Sequence, residues 1–179
     1  MMENKSYTRQ LLMIRPNLDN LPPLCLPPYY AIHSGSKESI PAWEAICESA
    51  FGGHSDYAEK TNRPGLTSER ILFVQIQGKD VATAASYDHK DYPGLGFLHM
   101  VATHKDALGK GAGRLAVLAV LHGLSAYGAA GAVLTTDDFR LPAINLYLSL
   151  GFKPVEDDEE MRCRWNAIRQ KLSERRHAK

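Results

Sequence analysis

The alternation of apolar and polar positions lays out the chain. Residues 7–15 are apolar and strand-like. Residues 17–28, with four prolines, read as an irregular connector, and 29–33 is extended again. A helix is expected from a cap at Ser39 to about Phe51, with Pro41 in its first turn and Trp43, Ile46, Cys47 and Ala50 facing inward. Residues 52–68 form a polar loop bearing glycine and proline. Residues 71–77 and 81–87 make a hairpin across Gly78-Lys79-Asp80. An apolar strand at 97–103 leads through a glycine-rich turn into a long helix carrying Leu115, Leu118, Ala119, Leu121, His122 and Tyr127, ended by the glycines between 128 and 131. Residues 132–136 read as a short buried strand, so strand, helix and strand form a parallel, right-handed crossover. Pro142 opens the next helix, with Ala143, Ile144, Leu146, Tyr147 and Leu150, and Gly151 stops it. Phe152 and Val155 begin an extended segment. Met161, Trp165, Ile168 and Leu172 then share one helical face and predict a C-terminal helix.

Candidate chemistry concentrates in Val101-Ala-Thr-His-Lys-Asp-Ala-Leu108-Gly-Lys-Gly-Ala-Gly-Arg114. Gly109, Gly111 and Gly113 keep side chains away from the backbone, so N–H groups can close on a ligand. The first N–H groups of the helix that follows lack intrahelical partners and sit at the positive end of its dipole, which suits phosphate. A glycine-rich turn also serves as a plain strand-to-helix connection, so on its own it does not select between the two.

The turn, taken with the downstream segment Ala143-Ile-Asn-Leu-Tyr147-Leu-Ser-Leu-Gly151-Phe152, resembles the GNAT superfamily of acetyl-coenzyme A-dependent N-acetyltransferases. The first motif is similar to that family's pyrophosphate signature, Arg/Gln-x-x-Gly-x-Gly/Ala, with Leu108, Gly111 and Gly113 at its named places. The second is similar to the family's helix ending Leu-Tyr-x-x-Leu-Gly-Phe. The specific part covers residues 97–155, and the N-terminal half fits by element order. Three positions depart from the pattern: Leu108 replaces Arg or Gln, Lys105 stands where proline is frequent, and Arg140 stands where many members have an asparagine that contacts the coenzyme.

The resemblance implies an α/β fold with a central mixed sheet splayed between the family's strands four and five, here 97–103 and 132–137, and flanked by helices. A C-terminal helix, where many members close with a strand, is a further departure. It implies acetyl-coenzyme A as cosubstrate, with Met100, Val101 and Thr103 facing the pantetheine and thioester, and Leu108, Gly109, Lys110, Gly111, Ala112, Gly113 and Arg114 holding the diphosphate. Arg140 is expected at the coenzyme, the acceptor or solvent. An amine would attack the thioester directly, with the Val101 N–H polarising the carbonyl. Tyr147 takes the family's general-acid place; its other reading is a core aromatic, and the flanking motif favours the acid. For the base, His99 stands first because imidazole titrates in the useful range, with Glu44 and Glu48 as alternatives; a strand histidine is also a common structural residue. Asp137 and Asp138 orient a cationic acceptor or cap the next helix, and capping is preferred for at least one. Residues 52–68 either shape the acceptor pocket, as in the family, or form a plain surface loop.

Length and charge fit one catalytic domain spanning 1–179. A formal charge of +1 argues against a nucleic-acid binder. The three cysteines, Cys25, Cys47 and Cys163, show no pairing pattern, which points to reduced thiols in the cytoplasm, and no Cys/His spacing suggests a metal. No apolar run approaches a membrane span and no signal sequence opens the chain. The expected partner is a small-molecule or peptide amine; a homodimer through the C-terminal helix is an alternative to packing within the subunit. Two other functions compete: a catalytically inactive acyl-coenzyme A sensor of the same fold, and a dinucleotide-binding enzyme. The latter would need Gly-x-Gly-x-x-Gly early in the chain.

Overall fold

In the computed structural model, which describes residues 9–177, Leu11, Met13 and Arg15 are buried and alternate with half-buried Leu12 and Ile14, as a strand with one covered face requires. This is β1 (Leu11–Arg15); the beginning of the expected strand, at Tyr7 and Thr8, lies outside the described residues. β2 (Tyr30–Ser34), β3 (Ile71–Ile76), β4 (Lys79–Asp88), β5 (Leu95–Thr103), β6 (Gly131–Thr136) and β7 (Lys153–Pro154) follow. Their order in the mixed sheet is β2-β3-β4-β5-β6-β1-β7. Pairing from β2 to β5 is antiparallel, β5 and β6 run parallel, and β7 lies antiparallel to β1. The β5–β6 register covers only Leu95–Phe97 against Gly131–Val133.

Contacts gather the chain into two compact units. The larger, Arg15–Val133, contains β2 to β5, α1 (Ile40–Phe51), α2 (Tyr57–Thr61) and α3 (Ala112–Ala126). Its core includes Trp43, Ile46, Cys47, Ile71, Phe73, Ala85 and Ala102, where α1 packs on β4 and β5. Each large apolar side chain of this kind contributes about 1.5–3 kcal/mol. α3 packs on β3, β4 and β5 through Leu115, Leu118, Leu121, Leu124 and their neighbours, all buried. The other unit, Met1–Ile14 with Leu134–Lys179, contains α4 (Leu141–Ser149) and α5 (Glu159–His177), which pack together. Met161, Trp165, Ile168 and Leu172 are buried along α5, as their spacing predicts.

Several local expectations shift. Ser39 precedes α1 but its side chain caps nothing there; its Oγ instead accepts the Ser36 N–H at 3.3 Å, because a 3₁₀ turn (Lys37–Ser39) comes before the helix. The 52–68 loop contains α2, whose Asp56 cap accepts the Glu59 N–H at 2.7 Å. The hairpin turns at Gln77-Gly78, both with positive φ, so Lys79 and Asp80 join β4. α3 ends at Ala126, leaving Tyr127 as an exposed cap.

Candidate functional site

β5 ends at Thr103, a 3₁₀ turn (Lys105–Ala107) follows, and three backbone bonds tighten the loop: Ala107 N–H to His104 O at 2.9 Å, Leu108 N–H to Lys105 O at 3.3 Å and Lys110 N–H to Ala107 O at 3.3 Å. Lys105 N–H donates to Ser49 Oγ at 3.0 Å, and Tyr30 Oη donates to Lys110 O at 2.9 Å, so the loop is fixed on both sides. Gly109 and Gly111 have φ of +76° and +79°, which explains glycine there, and a Cβ on either would meet no atom within 4 Å. Gly113 is required for a different reason: a Cβ would lie 2.6 Å from Thr103 Oγ1. Among the described residues the N–H groups of Gly109, Gly111, Ala112 and Gly113 find no acceptor. No side chain caps α3 and no acid lies in its first turn. Lys105 and Lys110 are exposed and form no ion pair among the described residues. Leu108, two-thirds exposed, brings no polar group. The loop can therefore take an anion with backbone donors.

On β5 the register against β4 jumps from Ala85↔His99 to Thr83↔Ala102, so Met100 and Val101 together face the single residue Ala84. This is a β-bulge, and it places Met100 in the left-handed region at φ +47°. A bulge interrupts the regular ladder at this stretch of β5. His99, beside the bulge, points Nε2 at Lys60 O, 2.8 Å away. A carbonyl only accepts, so Nε2 carries the proton and Nδ1 keeps its lone pair. Burial, with help from the nearby Arg63 and Lys60 charges, holds the His99 pKa below its ordinary value, against the pull of the Lys60 carbonyl, so the ring is neutral at pH 7. The other proposed bases have partners: Glu44 accepts the Tyr57 N–H at 3.1 Å, and Glu48 pairs with His54 Nδ1 at 2.6 Å.

Tyr147 and Arg140 lie in the other unit. Tyr147, on α4, is buried, and its ring meets Phe152 edge-on at 5.8 Å. Burial pushes the phenol up to about 12, against a lowering influence from Arg140. Arg140 forms the N-cap of α4 and donates its Nε to Asp137 Oδ2 at 2.9 Å. The expected capping by an aspartate side chain is corrected here. Asp137 is engaged by Arg140 and by Gln10 at 3.0 Å, and Asp138 accepts Arg164 Nε at 3.0 Å. These cations outcompete the backbone donors because charge-assisted bonds are the stronger ones.

The sequence did not single out Arg63, Tyr87 and Tyr92, which converge with His99 on one face of β4 and β5. No motif marks them. Tyr87 and Tyr92, eight and three positions before β5, carry no recognisable spacing. Among the described residues no helix is long and apolar enough to cross a membrane.

The model of the acetyltransferase (GNAT) family matches residues 37–152. The chain is similar to the mycothiol acetyltransferase of Rhodococcus jostii (strain RHA1), 28% identical over 167 residues, covering 84% of this chain and 55% of that protein. It is also similar to the mycothiol acetyltransferase of Nocardia farcinica (strain IFM 10152), 38% identical over 68 residues, covering 38% of this chain and 22% of that protein. The chain thus spans about half the length of the first of these curated relatives and less of the second. Among solved structures it resembles a GNAT-family protein from Novosphingobium aromaticivorans, with a TM-score of 0.62 and 25% identity over 81% of this chain and 59% of that one. The ribosomal-protein-S18-alanine N-acetyltransferase of Escherichia coli matches with a TM-score of 0.59 and 25% identity, over 69% of this chain and 77% of that one.

Proposed function

This chain belongs to the acetyltransferase (GNAT) family, and from that premise we propose that it moves an acetyl group from acetyl-coenzyme A to a primary amine of a small molecule or peptide. The transfer is by direct attack in a ternary complex, within one domain, in the cytoplasm. The observation that carries the proposal is the row of unused donors at Gly109, Gly111, Ala112 and Gly113, with no acid in the first turn of α3. The donors fit a diphosphate: backbone N–H groups at a helix start, three of them on glycines, and Lys105 and Lys110 nearby in sequence. Leu108 to Arg114 hold that group, Met100, Val101 and Thr103 offer backbone partners to the pantetheine amides, and Arg140 is kept as a cationic contact in the geometry Asp137 gives it. Bound there, the coenzyme supplies an activated thioester.

The protein's own residues move the protons. The Val101 N–H, on the bulged stretch of β5, polarises the carbonyl. His99 takes a proton from the amine through Nδ1, directly or through water. Tyr147 gives a proton to the departing sulfur, and a phenol at about 12 starts protonated throughout the working range. The relatives' names differ in acceptor, mycothiol in one case and a ribosomal protein in another, so they support acetyl transfer and leave the acceptor to this chain's own residues.

The test is release of free thiol from acetyl-coenzyme A across an amine panel. Tyr147→Phe is expected to lower kcat by roughly 10²–10³-fold with the KM for acetyl-coenzyme A unchanged. Equal turnover would remove the acid assignment. Because His99 is held neutral below its ordinary pKa of about 6.5, kcat/KM should fall only at pH values under that, and His99→Gln should abolish this acid limb. Coenzyme binding without thiol release from any amine would instead favour a sensor.

A further inference from the structure

On the face of β4 and β5 that carries Ala85 and His99, five rings form one continuous group. Tyr87 meets Phe97 at 4.9 Å and His99 at 5.3 Å, while Tyr92 meets His89 at 5.2 Å and Phe97 at 6.0 Å. The 60–64 segment is tied over this group by two hydrogen bonds, His99 Nε2 to Lys60 O at 2.8 Å and Asp88 N–H to Pro64 O at 3.1 Å. Arg63 sits between the two ties. Its guanidinium donates to Asn62 O at 3.1 Å, and among the described residues it meets no carboxylate. The neighbouring acids are otherwise engaged: Asp88 is gripped by Arg70 at 2.9 and 3.1 Å, Glu59 pairs with Lys60 at 2.7 Å, and Asp91 lies 3.8 Å from His89 Nδ1.

The phenols are the telling groups. Tyr87 is only 6% exposed and Tyr92 half-buried; neither hydroxyl has a hydrogen-bond partner among the described residues, and neither is among the buried unpaired atoms, which are the indole nitrogens of Trp43 and Trp165, so both phenol tips reach the surface. Phenol hydroxyls that reach the surface without a partner in the chain are donors open to an incoming ligand. Tyr87 and Tyr92 both meet Phe97, and the ties at Lys60 and Pro64 carry Arg63 to the same group, where it acts electrostatically on Tyr87 and His99. One guanidinium and two phenolic donors make a set suited to a carboxylate.

We propose that Arg63, Tyr87 and Tyr92 hold a carboxylate of the acceptor, so that the acceptor is a small amine that also carries a carboxylate. This deepens the acetyltransferase reading and rests on it. The carboxylate end fixes the acceptor on the ring group, and its amine is presented to His99, whose ring adjoins Tyr87. Purely cationic amines such as polyamines lack the group this site selects, and Arg63 repels them.

The test compares glycine, L-phenylalanine and L-glutamate with their α-carboxamides, by thermal shift and by thiol release from acetyl-coenzyme A. At least one acid is expected to stabilise the protein and to show a KM lower than its amide by on the order of tenfold or more. Arg63→Ala and the isosteric Tyr87→Phe should erase that difference while the thermal shift given by coenzyme A persists; Arg63→Lys should restore part of it. Amides equal to acids, no stabilisation by any acid, or unchanged discrimination in both variants would overturn the carboxylate site. Acid binding without thiol release leaves the site standing and refutes acetyl transfer. Thiol release that ignores the carboxylate does the reverse.

Discussion

α3 and α4 both follow a strand of the sheet, and neither has a side-chain cap or an acid in its first turn; they differ in the charges that stand before them. α3 starts at Gly111, in the left-handed region, with no capping side chain and no acid in its first turn. α4 starts at Arg140, with a proline in its first turn and a surround of ion pairs: Asp137 with Arg140, and Asp138 with Arg164. The first four N–H groups of any helix need partners from elsewhere. At α4 the preceding aspartates are committed to the chain's own cations, Arg140 and Arg164. At α3 no such ion pair precedes the helix among the described residues, and the positive end of its dipole faces no acid in the first turn. The two starts thus differ in whether ion pairs stand before them.

The strongest way to break this contrast is to give α3 a cap. Gly111→Asp places a carboxylate where nothing now stands within 4 Å. A cap gain of about 1 kcal/mol roughly offsets a left-handed strain of about 1–2 kcal/mol, so the melting temperature should move little. Affinity for coenzyme A, measured by calorimetry, should fall on the order of 100-fold. Gly111→Asn, the same shape without charge, should lose far less; equal losses would mean that shape, not charge, keeps this start open.

A smaller effect is expected at α4. Asp138→Asn should cost about 1 kcal/mol of stability, since the pair with Arg164 is partly exposed, and should leave the KM for acetyl-coenzyme A alone. The Arg164 hydrogen bond holds the Asp138 carboxyl below the usual range. Its stabilisation is therefore complete above the unfolded value of about 3.9 and fades as the pH falls through the lower folded value. Melting curves of variant and parent should converge in acid. The smallest change is Leu108→Arg, which adds a cation at an exposed loop position. It should lower the KM for acetyl-coenzyme A by about threefold at low salt and lose the gain at high salt.

The glycine loop was readable because its requirements are local. Positive φ at Gly109 and Gly111 and the uncapped start of α3 depend on residues within a few positions of one another. The same holds for the buried face of α5 and for the crossover of β5, α3 and β6. The bulge at Met100 and Val101 was not readable, because no glycine marks it; only the pairing of β4 with β5 reveals two residues opposite one. Nor was the fate of Asp137 and Asp138. Capping was the local expectation, and Arg164, 26 residues further on, took Asp138 instead.

The chain's own order of residues determined its family, its alternation of strands and helices, the anion-ready turn and the tyrosine of the second motif, since each follows from periodicity, backbone freedom or a short contiguous pattern. Only the tertiary structure decided which nitrogen of His99 faces Lys60, 39 residues away, and that Arg63 gathers with Tyr87 and Tyr92. Hydrogen bonding and charge act over ångströms in space, and distance along a chain carries no information about that separation until the sheet has formed.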